Sequence, residues 1–405
     1  MTAILGWGCA GTLIVLGLLA VYQWVLAVAA LIPSRQTKRP AAGQSRFIVL
    51  IPAHNEEDSL AATLKSFDAL QYSRRHIRII VIADRCDDRT KDVARRSGAE
   101  ALERTAGPAG KGAAIAWAVE VLRKSGAYFD GLVIVDADTV VDPQLLNAFD
   151  RGLCAGHDVQ QGYNYLSNPW DSPFTRIIAV TSVLRNGLFY SGKERLGLTS
   201  MLSGTGMCFS RYIIERYRWT ALSVGEDWEF SVFLLLNGET IHFNKAARVF
   251  ALESRGFRQA STQRLRWASG RQGVASASTA ALFRSGVRQR RLELWDAALS
   301  MLAPTYSVQA TLALLCLGAS WYLSAEPGWG MLFRCATLVT GLLVAYFAAG
   351  VALTDAPIRA LAGIVLIPIF LPWRTAIELL GVAGYGRKRW VRTARLSASR
   401  CAHPH

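Results

Sequence analysis

The chain has 405 residues, of which 51% are apolar and only 19% charged, and its formal net charge is +15. That length admits one domain of two hundred or more residues plus a membrane part, and the apolar excess argues against an all-soluble or disordered chain. Seven cysteines are scattered with no CxxC pair and no Cys/His cluster, leaving no zinc-site or disulfide pattern and fitting the reducing side of a membrane.

Residues 2–34 carry no charge, and at ~1.5 Å per residue such a helix exceeds the ~30 Å hydrocarbon core. LAVAA (26–30) imitates a signal-peptide cleavage site, but no Lys or Arg precedes the apolar run, so 1–34 reads as an anchor. The first basic cluster, Arg35, Lys38 and Arg39, follows it. The positive-inside rule then places the N-terminus outside and the following chain in the cytosol.

Residues 45–254 alternate between strand-like and helix-like text. RFIVLIPAH (46–54) reads as a buried strand, SLAATLKSFDAL (59–70) as a helix and IRIIVIAD (77–84) as a second strand. KDVARRSG (91–98) reads as a short helix closed by Gly98, AAIAWAVEVLRK (113–124) as another, and GLVIVDAD (131–138) as a further strand. The alternation implies an α/β domain with a mostly parallel sheet and flanking helices. In such sheets ligands bind beyond the carboxyl ends of the strands.

All three strands end in polar text: HNEE, ADRCDD and DAD. Asp and Asn favour turns and helix caps, which accounts for Asp58 and Asp92 but less well for Asp136 and Asp138, which interrupt an apolar strand. On a strand, residues i and i+2 share a face, so the two acids repel unless a cation lies between them. Mg²⁺ or Mn²⁺, which take oxygen ligands and are often shared with substrate phosphates, suit that position.

Further along, 255–295 is a basic amphipathic stretch with Arg255, Arg258, Arg264, Arg266, Arg271, Arg284, Arg288, Arg290 and Arg291. Most of these read as lying on an anionic membrane surface. That explains the net charge without nucleic acid, for which no helix-turn-helix, RNP or zinc pattern is present. Residues 297–325 and 335–354 read as two spans within a 296–354 membrane unit, joined by EPGWG (326–330). The apolar stretch 360–373 is short and carries Pro368 and Pro372, so 355–386 reads as interfacial or re-entrant, with a basic cytosolic tail over 387–405.

Seven motifs occur in order: IPAHNEE (51–57), VIADRCDD (81–88), GKGAA (110–114), VDAD (135–138), GTGMCFSR (204–211), GEDWEF (225–230) and QRLRW (263–267). In this combination the chain resembles the membrane-embedded family 2 glycosyltransferases, the group of cellulose, hyaluronan, chitin and poly-N-acetylglucosamine synthases and ceramide glucosyltransferase. The resemblance covers about residues 45–275. It implies a GT-A fold and inverting, metal-dependent transfer from a UDP-sugar. It implies that His54, Glu56 and Asp84 contact the uridine, that Lys111 faces the diphosphate, that Asp136 lies near the ribose and the metal, and that Asp138 is the direct metal ligand. Asp227, with Glu226 beside it, matches the general base. Arg264 and Arg266 match groups facing the diphosphate, while Gly204, Thr205, Gln263 and Trp267 match the acceptor side.

Simpler roles stay open: Lys111 as a solvated helix-start lysine, 204–207 as a turn, and the acids of GEDWEF as partners of a helix dipole. The resemblance implies a multi-pass protein of the bacterial inner membrane with a cytosolic catalytic domain. Its acceptor would be a growing polysaccharide or a membrane lipid, and a small membrane part would call for a homo-oligomer or an export partner. A non-catalytic nucleotide-sugar-binding subunit would be expected to lose Asp138, Asp227 or Trp267, and all three are present.

Overall fold

The computed structural model describes residues 2–33 and 44–386. The basic cluster at 35–39 and the tail 387–405 lie outside the described residues. Eight strands form one mixed sheet: β1 Phe47–Ala53, β2 Ile77–Asp84, β3 Glu100–Arg104, β4 Gly131–Ile134, β5 Thr139–Val141, β6 Val159–Leu166, β7 Met207–Ser210 and β8 Ile241–Ala251. Their order is β3-β2-β1-β4-β7-β6-β8-β5. β1 pairs in parallel with β2 and β4, β2 with β3, and β6 with β8, while β7 runs antiparallel to β4 and β6.

The continuous apolar text of β1 has a direct cause. Ile48 and Leu50 face one buried layer, and Phe47, Val49 and Ile51 face the other. Each such side chain taken out of water contributes ~1.5–3 kcal/mol. Two layers of helices cover the sheet, giving the GT-A-like architecture. The acidic pair does not sit on a strand: β4 ends at Ile134, and Ala137 and Asp138 form a turn before β5. The chain therefore relieves the expected same-face crowding partly by leaving the sheet.

Among the described residues, three helices are long and apolar enough to cross a membrane: Thr2–Leu31, Gly330–Ala352 and Pro357–Val382. Thr2–Leu31 packs on Tyr306–Leu323 and Gly330–Ala352 through Cys9, Ala20, Ala313 and Ala336, small residues of the kind that let helices approach in lipid. Its outward face shows Ile4, Trp7, Ile14 and Leu18.

Two expectations change. The run read as one span over 297–325 is two helices, Leu292–Leu302 and Tyr306–Leu323, bent by 63°. Pro304 lies in the break, where it removes a helical donor. The stretch read as short over 360–373 belongs to a 26-residue helical run, Pro357–Val382. Pro368 stands in the first turn of Ile367–Val382, where its missing N–H is no loss, and the helix continues through Pro372.

A buried polar hub joins domain and membrane helices. Lys193, fully buried, lies 2.7 Å from Asp296 and donates to Ser300 Oγ at 2.8 Å. Tyr22 on the first helix donates to the other Asp296 oxygen. Removing one partner of a buried pair costs ~3–5 kcal/mol, whereas replacing both with apolar groups costs little. Lys193→Ala is therefore expected to lower the melting temperature in detergent sharply. The Lys193→Met/Asp296→Leu pair should recover most of that loss.

Candidate active site

The loops after β1, β2 and β4 meet at one end of the sheet. Those after β1 and β2 are stitched to each other. The His54 ring nitrogen Nδ1 lies 2.7 Å from the Asp84 carbonyl oxygen. The Glu56 N–H donates to Thr90 Oγ1 at 2.8 Å, and its carboxylate accepts from Ser59 at 2.5 Å. Asn55 and Arg85 adopt positive φ, 56° and 49°, which turns each loop sharply out of its strand. Asp84 is buried against Arg104, with Nη1 2.6 Å from Oδ1, and Arg85 reaches its other oxygen at 3.0 Å. Thr63, in the helix that follows the β1 loop, donates to the Ala137 carbonyl at 2.8 Å, tying this group to the acidic turn.

The second group centres on Lys111, the first residue of helix Lys111–Lys124. Gly110 before it has φ +126°, a backbone reserved in practice for glycine. At Gly112 an added Cβ would lie 2.3 Å from the Ala221 carbonyl oxygen, so the helix start packs directly on the loop leading to GEDWEF. The ammonium of Lys111 lies 2.6 Å from Asp136 Oδ1 and 3.7 Å from Glu226 Oε1, and donates to the Gly204 carbonyl at 2.5 Å. Lys111 is thus a structural counter-ion and not a solvated surface lysine.

Burial alone would lower the pKa of Lys111, but Asp136, Glu226 and Asp227 outweigh it and the net shift is upward. Burial pushes Glu226 up to about 7, with Lys111 opposing and Asp227 adding to the rise. Asp227 is also raised by burial, against Lys111, the Trp228 N–H and Arg271. That N–H donates to Asp227 Oδ1 at 2.8 Å, fixing the carboxylate. The pair is therefore more basic than surface acids, as proton acceptors near neutral pH require.

Gly204 and Thr205 lie against the donor-side acids: the Asp136 N–H donates to Thr205 Oγ1 at 3.1 Å. Buried Gln161 on β6 holds this loop through the Thr205 carbonyl at 3.0 Å and the Ser203 N–H at 2.8 Å.

QRLRW lies on the 33-residue helix Phe257–Gln289. Arg264 donates to Glu253 at 2.8 Å with both groups largely buried, and its guanidinium covers Trp267 at 5.7 Å. Trp267 is 41% exposed, leaving its remaining surface open. Gln263 and Arg266 are half-buried on the same helix. This helix meets the GEDWEF loop at a glycine contact: a Cβ on Gly270 would lie 3.1 Å from Gly225 N and from the Val224 carbonyl carbon.

Several groups were not singled out from sequence. Arg271, read as a membrane-surface arginine, instead covers Trp228 at 5.7 Å and pairs with Glu378 at 2.9 Å. Its spacing of four from Trp267 on one helix was the available signal. Arg104 gave none, because a buried arginine ending a strand looks like any exposed one. Arg185, on the π-helical turn Val183–Tyr190, is solvent-accessible although enclosed by protein, and feels the charges of Arg271, Arg264 and Asp227. Such π turns recur at functional sites.

A model of the family described as glycosyltransferase like family 2 matches residues 44–270, more than half of the chain. The chain belongs to glycosyltransferase family 2. It is 29% identical over 246 residues to the probable glycosyltransferase YdaM of Bacillus subtilis (strain 168), a match spanning 58% of this chain and 57% of that relative. The mannosyltransferase PcManGT from Pyrobaculum calidifontis, solved in complex with GDP-Man and Mn²⁺, shares the fold at a TM-score of 0.57 and 17% identity. That likeness covers 95% of this chain and 97% of the other.

The matched region, residues 44–270, is therefore a family 2 glycosyltransferase domain. Its residues also fit a divalent cation. Asp136 and Asp138 supply carboxylate oxygens, the ligands hard cations take.

The Gly225–Gly270 contact generates a test. Gly270→Val is expected to push the QRLRW helix off the catalytic loop. A displacement of ~1 Å costs about a hundredfold in rate. kcat should fall by that order while donor affinity, measured by calorimetry, is retained.

Proposed function

We propose that this protein is an inverting glycosyltransferase that moves a sugar from a UDP-sugar to a hydroxyl of a growing extracellular polysaccharide. It would do so at the cytosolic face of a bacterial inner membrane, as a multi-pass protein. The observation that carries the reading is the cluster of Lys111, Asp136, Glu226 and Asp227, clasped against the QRLRW helix at Gly225 and Gly270.

In this reading the acceptor oxygen attacks the anomeric carbon as the bond from that carbon to the diphosphate oxygen breaks. The hydroxyl proton passes to Asp227, with Glu226 holding the local charge. His54, Glu56 and Asp84 seat the base and ribose, and the Arg104 pairing fixes the Asp84 carboxylate for that contact. Lys111 and Arg266 face the diphosphate, and Arg264, held by Glu253, sets the Trp267 face on which an acceptor sugar stacks. Mg²⁺ or Mn²⁺ held by Asp136 and Asp138 would supply neutralisation of the departing diphosphate. Gly204, Thr205 and Gln263 line the acceptor side.

We also propose that 255–295 and 355–386 lie along the membrane surface. Trp373 donates to Ser261 Oγ at 2.9 Å, and Glu378 accepts from Arg271 and Arg374, so one face of the last helix belongs to the domain. Its other face shows Ile369, Leu379 and Val382. With Pro357–Val382 on the surface, two or three candidate spans remain among the described residues, and so small a membrane part favours a second reading, a glycolipid synthase adding one sugar to a membrane lipid.

Turnover of a panel of UDP-sugars and GDP-mannose by purified protein in lipid, with product sizing, separates these readings. A long product from one UDP-sugar supports polymer synthesis, and one added sugar on a lipid supports the second reading. Asp227→Asn should lower kcat by about a hundred- to ten-thousandfold with donor binding intact. Donor binding without turnover in the parent protein would overturn both readings and the catalytic role of Asp227.

The raised pKa values make a signed pH prediction. Below its folded pKa the Asp227 carboxylate is protonated and cannot accept a proton, so kcat/KM should fall on the acid side at a pH above the ordinary aspartate range, because burial raises that pKa. Glu226→Gln removes one negative neighbour of Asp227 and should move that limb to lower pH.

A further inference from the structure

A second cluster lies at the other end of the sheet. β6 runs parallel to β4 through two antiparallel steps across β7, so its first residues lie opposite the catalytic loops. His157 stands just before β6, His242 is the second residue of β8, and Glu194 lies on the short helix Ser191–Arg195. The His157 and His242 rings stack with centroids 3.7 Å apart and 4° between planes. His242 Nδ1 is 3.1 Å from Glu194 Oε1. One ligand atom from each of the three lies within 4.8 Å of the others.

The surroundings hold these groups in place. The second Glu194 oxygen accepts the Phe243 N–H at 2.7 Å, and the His157 carbonyl accepts from Gln160 at 3.1 Å. Such outer bonds orient ligands in metal sites. The helix bearing Glu194 is fixed to the first membrane helix: a Cβ on Gly192 would lie 2.1 Å from the Leu26 carbonyl oxygen, and Arg195 donates to the Pro33 carbonyl at 2.6 Å. A cavity of about 220 Å³ adjoins the cluster, lined by His157, Glu194, Arg151, Asn244 and Lys245 among others.

A carboxylate–histidine pair needs one imidazole, and here a second is stacked on it. Two facing imidazoles cannot comfortably both be cations.

We propose that His157, His242 and Glu194 bind a divalent transition metal of the zinc class, with the remaining position open to the adjoining cavity. Two nitrogens and one oxygen form a donor set for zinc or cobalt, unlike the oxygen-only acids of the catalytic turn. The 3.1 Å between His242 and Glu194 is close to the separation of two ligands each ~2.0–2.2 Å from one tetrahedral ion. Rotation of the His157 ring brings in the third. The ion would tie the starts of β6 and β8 to the helix that holds the end of the first membrane helix.

The test uses the full chain, purified in detergent without a polyhistidine tag and with Mg²⁺ in excess, titrated with Co²⁺. The expected result is a saturable visible absorption band of tetrahedral Co²⁺, bleached by Zn²⁺. The band should vanish in His157→Gln and in His242→Gln and persist in Asp138→Asn. Zn²⁺ should raise the melting temperature of the parent and of Asp138→Asn but not of the histidine variants, whose metal-free melting serves as the folding control. A folded parent with no band overturns the proposal, leaving a plain histidine–carboxylate pair. A band that survives in both folded histidine variants, or that is lost in Asp138→Asn, overturns it as well.

Discussion

One ammonium shared among three carboxylates organises the catalytic end of this protein. Lys111 is drawn out of water by its helix, and desolvating an ion costs several kcal/mol. Against that, each carboxylate at ~4 Å returns about 4 kcal/mol at an effective dielectric near 20. Asp136 and Glu226 both lie within that range, so attraction wins and the lysine stays charged. The consequence is topological, because Asp136 follows β4, Glu226 and Asp227 open the helix Glu226–Leu236, and Gly204 belongs to the loop before β7. A single charge thus holds three separate loops, and the glycines at 110 and 112 exist to let that charge arrive.

The same loops are held from the membrane side by a different kind of contact. Gly225 and Gly270 let two backbones meet, and Arg271 spans the joint from Trp228 to Glu378. The catalytic helix, the QRLRW helix and the last apolar helix therefore share one spine. Movement of the membrane-proximal helices is then felt at Asp227, whose carboxylate is set by the first N–H of the turn that follows it.

Local sequence carried the first half of the domain well. β2 runs over the residues read for it, Ile77–Asp84, and β1 is one residue shorter at each end than RFIVLIPAH. Both are buried on two faces, so their apolar text is continuous and needs no partner to be recognised. The second half was not legible in that way. β6, VQQGYNYL, carries Gln160, Gln161 and Asn164 in its interior, and its glutamines are buried because they bond backbone carbonyls and not because they are apolar. The motif residues were legible as residue types, but their partners were not. Arg104 meets Asp84 from 20 residues away and Arg271 meets Glu378 from 107, distances at which only the folded chain relates them. Likewise His157 and His242 share no spacing that a metal motif would show, since parallel pairing of β6 with β8 is what brings them together.

The polar joints have a bearing on how the sheet stands above the membrane. At the catalytic end the link runs through Arg271, Glu378 and Arg374, and at the opposite end through Lys193, Asp296 and Tyr22. Apolar helix contacts alone tolerate sliding, because one methyl group packs nearly as well as the next. A buried ion pair does not, since a shift of a few ångströms leaves each charge unpaired at a cost of several kcal/mol. Two such joints at opposite ends of one sheet fix how it sits on the apolar helices. In the proposed reaction, with a soluble donor and a product that leaves through or along a bilayer, that seating would be a requirement of the reaction path. It explains why buried charge is kept where leucine would pack with less cost.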